Sequence, residues 1–224
     1  MRGPFEAFPK LITKSMILSK ETLRDADRIW RLNLVNSLSG IKPANLIGTK
    51  SESGQCNLAV FSSVVHLGSN PAQLGFVLRP QGDVPRHTFE NIENTGVYTI
   101  NHIPESLIQR AHYTSAKFER EISEFEHLGI EEEYIEDFRA PFVKESSVKM
   151  GMRFSTAIPL PNGCSFVIGD IEIIHVADAL VEDNGQIRLD KHQIVGISGL
   201  NSYYKLSHMD TFPYARVNDL PDFL

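Results

Sequence analysis

Two arginines, a histidine and a threonine lie close together in this sequence, at Arg79, Arg86, His87 and Thr88. Arg79 ends an apolar stretch typical of a β-strand, and residues 86–94 have the pattern of a short helix. Arginine donates forked, charge-assisted hydrogen bonds, and the first turn of a helix has free backbone N–H groups. These residue types at this spacing favour phosphate binding. Because an arginine at a strand end is more often only solvated, the pattern alone does not identify a site.

A second polar group lies between residues 48 and 63. The pattern predicts a strand, a turn around Gly54 and a returning strand with small and hydroxyl-bearing side chains at its exit, among them Ala59, Ser62 and Ser63. A flat ligand can approach such a surface closely. The two serines have a simpler interpretation as well, because serine hydroxyls often end a strand through local hydrogen bonds.

The order of these segments resembles the flavin reductase-like family, whose members have an FMN-binding split barrel. The resemblance is carried by Gly48-Thr49 with Gly54, by Asn57-Leu58-Ala59 with Phe61-Ser62-Ser63, by Asn70-Pro71 with Gly75-Phe76, by Thr88, Asn91-Ile92 and Thr95-Gly96, and by Val97-Tyr98-Thr99-Ile100-Asn101. It covers residues 40–130 closely and the later strands to about Tyr204 more loosely. This chain departs from the family at Val60, where a proline is common, and at Arg86-His87, where a Lys-Asp pair is common.

This resemblance implies a homodimer that binds one FMN per subunit noncovalently, near the subunit interface. Thr49, Asn57, Ala59, Ser62 and Ser63 match positions along the isoalloxazine and ribityl chain, whereas Arg79, Arg86 and Thr88 match phosphate positions. The complete set of candidate cofactor-binding residues is Thr49, Ser51, Asn57, Leu58, Ala59, Ser62, Ser63, Arg79, Arg86, His87, Thr88, His112, Tyr113 and Ser115. The last three are expected to approach the cofactor across the dimer. No catalytic residue and no metal ligand is assigned.

The implied activity is NAD(P)H-dependent reduction of flavin or another small acceptor. The cofactor performs the electron chemistry in such proteins, so no catalytic acid or base is required. Two alternatives stay open from the sequence. One is a noncatalytic FMN-binding electron carrier, and the other is a module that binds a different planar cofactor, such as haem or pyridoxal phosphate.

Composition argues against several other classes of protein. Twenty-two basic and 28 acidic residues give a net charge of −6, which provides no general attraction to nucleic acid. The sequence has no signal-peptide pattern and no apolar run of about 18 residues, so a cytoplasmic protein without a membrane span is expected. Two isolated cysteines predict buried free thiols and no disulfide framework. The fingerprints of dinucleotide-binding turns, P-loops and serine hydrolases are also absent.

Periodicity predicts a mainly β protein with inserted helices, an antiparallel and Greek-key-like split β-barrel. We expect one domain over residues 1–224, with a helical extension at about 1–40 and a docking segment at about 205–224. Helices are predicted at 19–40, 86–94 and 105–112, and a helix with loop at 119–137, whose many acidic side chains are expected to form a solvated surface. The predicted strands are 44–50, 56–65, 73–79, 97–102, 152–160, 165–176, 187–190 and 193–197.

Overall fold

The computed structural model describes residues 15–80 and 87–221. In this part of the chain the α-helices are α1 (Lys20–Asp25), α2 (Arg28–Ser37), α3 (His87–Thr95), α4 (Ile108–Tyr113) and α5 (Glu124–His127). The strands are β1 (Lys42–Pro43), β2 (Asn45–Lys50), β3 (Cys56–Phe61), β4 (Val65–Ser69), β5 (Ala72–Leu78), β6 (Val97–His102), β7 (Glu132–Glu133), β8 (Phe142–Val143), β9 (Val148–Pro159), β10 (Ser165–Val176), β11 (Val195–Ser198) and β12 (Ser202–Lys205). Short 3₁₀ turns occur at Glu105–Leu107, Asp178–Leu180 and Val217–Asp219.

The main sheet has seven antiparallel strands in the order β3-β2-β6-β9-β10-β5-β4. It is not closed into a barrel, since β3 and β4 are its two edges. A second sheet has the order β1-β11-β12, and β7 pairs with β8. The predicted fold class of antiparallel sheets with a few helices is therefore confirmed.

The two faces of the main sheet bury different sets of apolar side chains. On one face, Ile47, Phe76, Tyr98, Ile100 and Met152 form a core with Ile92 of α3. On the other face, Leu46 and Leu58 pack with residues of α4, α5 and β11. Because side chains alternate along a strand, each of β2 and β3 contributes to both cores. The strand pair that holds Thr49, Asn57, Leu58 and Ala59 of the predicted site thus has packed layers on both sides.

The second face is covered by residues 138–144, which three polar side chains of the sheet hold in place. Thr99 donates to the backbone carbonyl of Pro141 at 2.6 Å, and Asn101 Oδ1 accepts from the backbone N–H of Val143 at 2.9 Å. Lys149, only 1 % exposed, donates to the carbonyls of Val143 and Lys144 and forms an ion pair with Glu133. Buried polar groups are tolerated here because they are hydrogen-bonded.

Residues 19–40 are mainly helical as predicted, but they form two helices instead of one. Ser19 caps α1 by accepting from the backbone N–H of Thr22, as its residue type predicts. The helix then ends, and Asp27 caps α2 by accepting from the N–H groups of Ile29 and Trp30. A second N-cap residue inside the apolar pattern therefore divides the predicted helix into two.

The β prediction placed most strands correctly. Residues 97–102 and 165–176 form strands with the predicted bounds, while the strand predicted at 56–65 ends at Phe61. The chain then bends, and Val65 starts β4. Residues 187–190 form no strand and contribute only an isolated bridge between Val181 and Ile187.

The described part of the C-terminal segment does not pack on its own chain. Residues 207–221 are exposed throughout, including Met209, Phe212 and Tyr214, whose exposed fractions are 92 %, 80 % and 88 %. Docking of this segment onto a partner subunit stays a prediction. None of the helices within residues 15–80 and 87–221 has the length and apolar character that a bilayer crossing requires.

Candidate functional site

Helix α3 is fixed to strands β2 and β3 by two hydrogen bonds between buried side chains. The Asn91 amide donates to the Thr49 hydroxyl at 3.0 Å, and the Asn57 amide donates to the Thr88 hydroxyl at 3.0 Å. All four side chains are buried. Buried amide–hydroxyl pairs hold a helix and a strand in one relative position, because separating the pair would leave buried polar groups without a hydrogen-bond partner. The structure therefore brings three predicted site residues, Thr49, Asn57 and Thr88, into one rigid polar surface.

A small recess opens beside these pairs, with a volume of about 10 Å³, and it is partly open to solvent. Every residue that lines it is polar: Ser51, Gln55, Asn57, His87, Asn91 and Arg120. The His87 Nδ1 atom is buried and finds no hydrogen-bond partner among the described residues. Small-molecule sites commonly measure 300–1,000 Å³. The recess therefore has room for about one water molecule, which is far less than a cofactor or its phosphate needs.

The rim of the recess is formed by the loop at residues 117–123. Arg120 makes an ion pair with Glu90 of α3. The Gln55 side chain donates to the backbone carbonyl of Glu121 at 3.2 Å. Ser51 accepts from the backbone N–H of Gln55 at 3.0 Å, which closes the β2–β3 turn. The loop is thus tied to both α3 and the turn.

Strand β3 presents its residues alternately to the two faces of the sheet. Asn57 lies on the α3 face, and alternation places Ala59 there as well, opposite Ile47 of β2. Leu58 lies on the other face, where its fully buried side chain joins the second core. Its backbone N–H donates to the Glu124 carboxylate at 2.9 Å. Leu58 is therefore a predicted site residue whose side chain points away from the recess.

The hydroxyl of Ser63 is already engaged by the protein. It donates to the backbone carbonyl of Val77 at 3.1 Å and accepts from the Val77 N–H at 3.0 Å. This pair of bonds attaches the end of β3 to β5, next to half-buried Ser62. The strand-ending role that the sequence allowed for Ser63 is thus present.

The two predicted phosphate-binding arginines are placed differently. Arg79 is exposed at the end of β5, and its positive charge contributes, after burial, to lowering the pKa of Lys42. Arg79 therefore lies within electrostatic range of β1. Arg86 lies outside the described residues. Of the three residues that match phosphate positions, Thr88 is linked to the recess, because its hydroxyl accepts from Asn57, which lines the recess.

His112, Tyr113 and Ser115 form a separate cluster around α4. The His112 ring lies edge-on to Tyr113 at 5.7 Å and to Tyr203 at 6.0 Å. The Ser115 hydroxyl donates to the His112 carbonyl at 2.7 Å, and burial raises the pKa of Tyr203 to about 12. In the described part of the chain, no hydrogen bond or ring contact links this cluster to Thr49, Asn57 or Thr88.

A cluster of ionisable groups lies on the other face of β2 and β3. The Cys56 thiol donates to the Glu132 carboxylate at 3.1 Å, and the Tyr134 hydroxyl donates to the same oxygen at 3.0 Å. Lys50 donates to the Tyr134 hydroxyl at 2.8 Å. Burial, followed by the effects of Glu132, raises the pKa of Cys56 to about 11 and keeps the thiol protonated. Cys56 and Cys164 are free thiols as predicted, although half-buried rather than buried.

Sequence analysis missed four residues that shape the site: Gln55, Asn91, Arg120 and Glu124. Asn91 belongs to the stretch that carried the family resemblance, so its motif position was an available signal. Arg120 and Glu124 lie in an acidic stretch that was interpreted as a solvated surface. In residues 15–80 and 87–221, no three His, Cys, Asp or Glu side chains meet as a metal site would require.

Comparison with known proteins identifies the family. The family model described as a flavin reductase like domain matches residues 41–189, about two thirds of the chain. This chain belongs to the flavin reductase-like family. The match begins just before β1 and includes the recess, α3 and both long strands, so it confirms the resemblance inferred from the motifs.

Solved structures of flavin reductase-like proteins share this fold. A proposed flavin reductase with a split barrel domain from Shewanella frigidimarina NCIMB 400 is 46 % identical, with a TM-score of 0.86 over 90 % of this chain and 100 % of that chain. Nitrilotriacetate monooxygenase component B from Bacillus cereus is 20 % identical, with a TM-score of 0.78 over 89 % and 100 %. Flavoredoxin of Desulfovibrio vulgaris (Miyazaki F) is 20 % identical, with a TM-score of 0.68 over 79 % and 92 %. Family membership supports a flavin-related oxidoreductase with a flavin cofactor.

Proposed function

We propose that this flavin reductase-like protein is a homodimeric oxidoreductase that binds FMN noncovalently and uses NADH or NADPH to reduce flavin or another small acceptor. The observation that carries the proposal is the rigid polar recess between α3, β2 and β3, within the residues that the family model matches. Its lining and the adjacent strand contain the motif residues that carried the resemblance.

The residues present fit a flavin in size and chemistry. Ala59 lies next to Asn57 on the α3 face of β3, and its small side chain leaves space for a planar ring system. The Asn57 amide is held by Thr88, so its carbonyl oxygen is left to accept from a ligand. His87 Nδ1 is buried with no partner among the described residues, which suits a polar ligand group at the mouth of the recess.

We assign the phosphate end of the cofactor to the mouth of the recess and the ring system to the surface of β3. The recess is only about 10 Å³, so the phosphate would lie at its mouth, and the rest of the cofactor would lie across β3 toward Ser62. In this arrangement Thr88, His87 and Arg86 hold the phosphate, and Arg79 adds positive charge. Thr49 and Asn91 fix the distance between α3 and the sheet.

A bound flavin supplies hydride and single-electron transfer chemistry, so the protein's task is to bind, orient and shield it. Asn57 orients the ring system through its fixed amide. In the homodimer, His112, Tyr113 and Ser115 approach the cofactor of the partner subunit, and the exposed residues 207–221 dock there.

A noncatalytic flavin carrier is the second candidate. The fold likeness to a flavoredoxin favours it. The two candidates differ in one property, since a carrier has no productive nicotinamide site. Both need the same flavin contacts.

The test is an absorption spectrum of the purified protein, identification of the released cofactor by mass, and anaerobic addition of NADH and then NADPH. We expect bound FMN that is bleached by one of the two nucleotides. Bound FMN that stays oxidised with both would support the carrier. A protein that binds no flavin after reconstitution would contradict the central proposal.

A further inference from the structure

The carboxylate of Glu124 is buried against the edge of the main sheet. The side chain is 5 % exposed and accepts from the backbone N–H of Leu58 at 2.9 Å. Strand β3 pairs with β2 on one side only, so N–H groups on its outer side have no strand partner. A carboxylate that accepts a backbone N–H makes a strong, charge-assisted hydrogen bond. Glu124 therefore replaces a neighbouring strand at the position of Leu58.

Leu58 lies between the two residues of β3 that face the recess, Asn57 and Ala59. Any displacement of the Leu58 backbone moves both of them, because consecutive residues share the peptide planes on either side of Leu58. On the inner side, Asn57 is held by Thr88 of α3. On the outer side, Leu58 is held by Glu124 of α5. The strand is thus held at adjacent residues, on its α3 face by Thr88 and at its free edge by Glu124.

The residues around Glu124 hold its hydrogen bond to Leu58 in place. Phe125 is 3 % exposed and packs in the same apolar core as Leu58, so α5 is anchored directly beside the hydrogen bond. Burial raises the pKa of Glu124, and the hydrogen bond from Leu58 acts in the opposite direction. Burying a carboxylate costs free energy unless it is hydrogen-bonded. The hydrogen bond from the Leu58 N–H supplies that compensation here.

We propose that Glu124 is a positioning residue for the flavin site, which it serves by holding the edge strand β3 at Leu58. This inference rests on the proposed flavin-binding function. Glu124 does not line the recess, and its carboxylate lies at the outer edge of the strand. Its effect on a ligand passes through the backbone that carries Asn57 and Ala59.

The experiment compares FMN binding and amide exchange in Glu124→Ala and Glu124→Gln with the wild-type protein. In Glu124→Ala we expect about tenfold weaker FMN binding, a shifted absorption band of the bound flavin and at least tenfold faster exchange of the Leu58 amide. Glu124→Gln keeps an oxygen that accepts from Leu58, so its FMN affinity should stay within about threefold of wild type.

Two control variants separate positioning from general stability. Glu126→Ala removes an exposed carboxylate from the same helix and should behave as wild type. Ile130→Ala removes a buried side chain from the same apolar core and should lower the melting temperature without shifting the flavin band. Wild-type affinity in Glu124→Ala, or an equal loss of affinity in Ile130→Ala, would overturn the inference.

The exchange measurement keeps this result separate from the proposed function. A wild-type protein that binds no flavin overturns the proposed function and the flavin-related role of Glu124 with it. Hydrogen exchange of the Leu58 amide then still tests whether Glu124 holds β3. Equal exchange rates in wild type and Glu124→Ala would show that Glu124 does not hold β3, whether or not flavin binds.

Discussion

The amide of Asn91 donates a hydrogen bond to the hydroxyl of Thr49 at 3.0 Å, with both side chains buried between α3 and β2. This contact joins a helix to a strand that lies 42 residues earlier in the chain. Together with the neighbouring pair of Asn57 and Thr88, it sets the width of the polar recess. The geometry of the site therefore depends on side chains that also stabilise the fold.

Replacement of Asn91 by alanine should affect stability and binding together. The Thr49 hydroxyl would lose its donor in a buried position, which costs about 1–3 kcal/mol of the free energy of unfolding. Urea denaturation and FMN titration measure the two effects. Asn94→Ala is the matched control, because Asn94 is an exposed amide on the same helix and should change stability by less than about 0.5 kcal/mol. Equal effects of the two variants would show that the buried pair is unimportant.

Removal of either proposed phosphate-binding arginine should distinguish FMN from riboflavin. Arg79→Ala and Arg86→Ala each remove charge-assisted hydrogen bonds to a phosphate, which are worth about 1.5–3 kcal/mol. FMN binding should therefore weaken while riboflavin binding changes little, as measured by fluorescence titration. Arg24→Ala, on exposed helix α1, is the control. If both ligands lose affinity equally, the phosphate lies elsewhere.

Cys56 should react slowly with alkylating reagents at neutral pH. Its pKa is raised to about 11, so the thiolate fraction at pH 8 is roughly 200-fold below that of an ordinary cysteine. In a Cys164→Ser background, the rate of iodoacetamide labelling should rise about tenfold per pH unit from pH 8 to 10. Glu132→Gln should speed labelling at pH 8, because Glu132 raises the pKa of the thiol. A fast rate that does not depend on pH would contradict the protonated thiol.

His102 should make the fold less stable in mild acid. Burial lowers the pKa of His102 to about 4, whereas a histidine in the unfolded chain titrates near 6.5. The unfolded chain therefore binds a proton that the folded chain does not, and stability falls as pH decreases from about 6.5 toward 4. The loss amounts to about 3 kcal/mol at most.

Urea denaturation at pH 7 and pH 4.5 measures this effect. His102→Gln should lose less stability between the two pH values than the wild-type protein does. His66→Gln is the control, because His66 is exposed and its replacement should keep the wild-type dependence. An unchanged pH dependence in His102→Gln would show that other groups cause it.

Local signals in the sequence predicted much of the β structure. Alternating apolar residues bounded by glycine and asparagine defined β6 and β10 completely. The turn at Asn162-Gly163 formed as expected, with Gly163 at a φ of 79° and Asn162 accepting from the Cys164 N–H. Such elements are predictable because their geometry depends on neighbouring residues only.

Long-range contacts account for what the sequence did not predict. The chain leaves β3 and bends before β4 because Ser63 is hydrogen-bonded to Val77. Val77 belongs to another strand, 14 residues further along the chain. Glu124 was assigned to a solvated surface because a carboxylate in an acidic stretch is usually exposed. Its burial follows from the edge position of β3, which only the assembled sheet defines. The family resemblance carries long-range information, and the motif residues Thr49, Asn57 and Thr88 do lie close together in the fold, while their contact with a cofactor stays a prediction.

Residues 141–144 are attached to the sheet through their main chain. Thr99 contacts a carbonyl, Asn101 contacts an N–H, and Lys149 contacts two further carbonyls. Backbone atoms of these kinds exist in every amino acid except for the N–H that proline lacks. These three attachments therefore constrain the identities of the sheet residues, whereas the covering segment is constrained in sequence mainly by its buried side chains, Phe142 and Val143. Among homologous chains, the polar residues at 99, 101 and 149 should persist while the surface formed by the cover diverges.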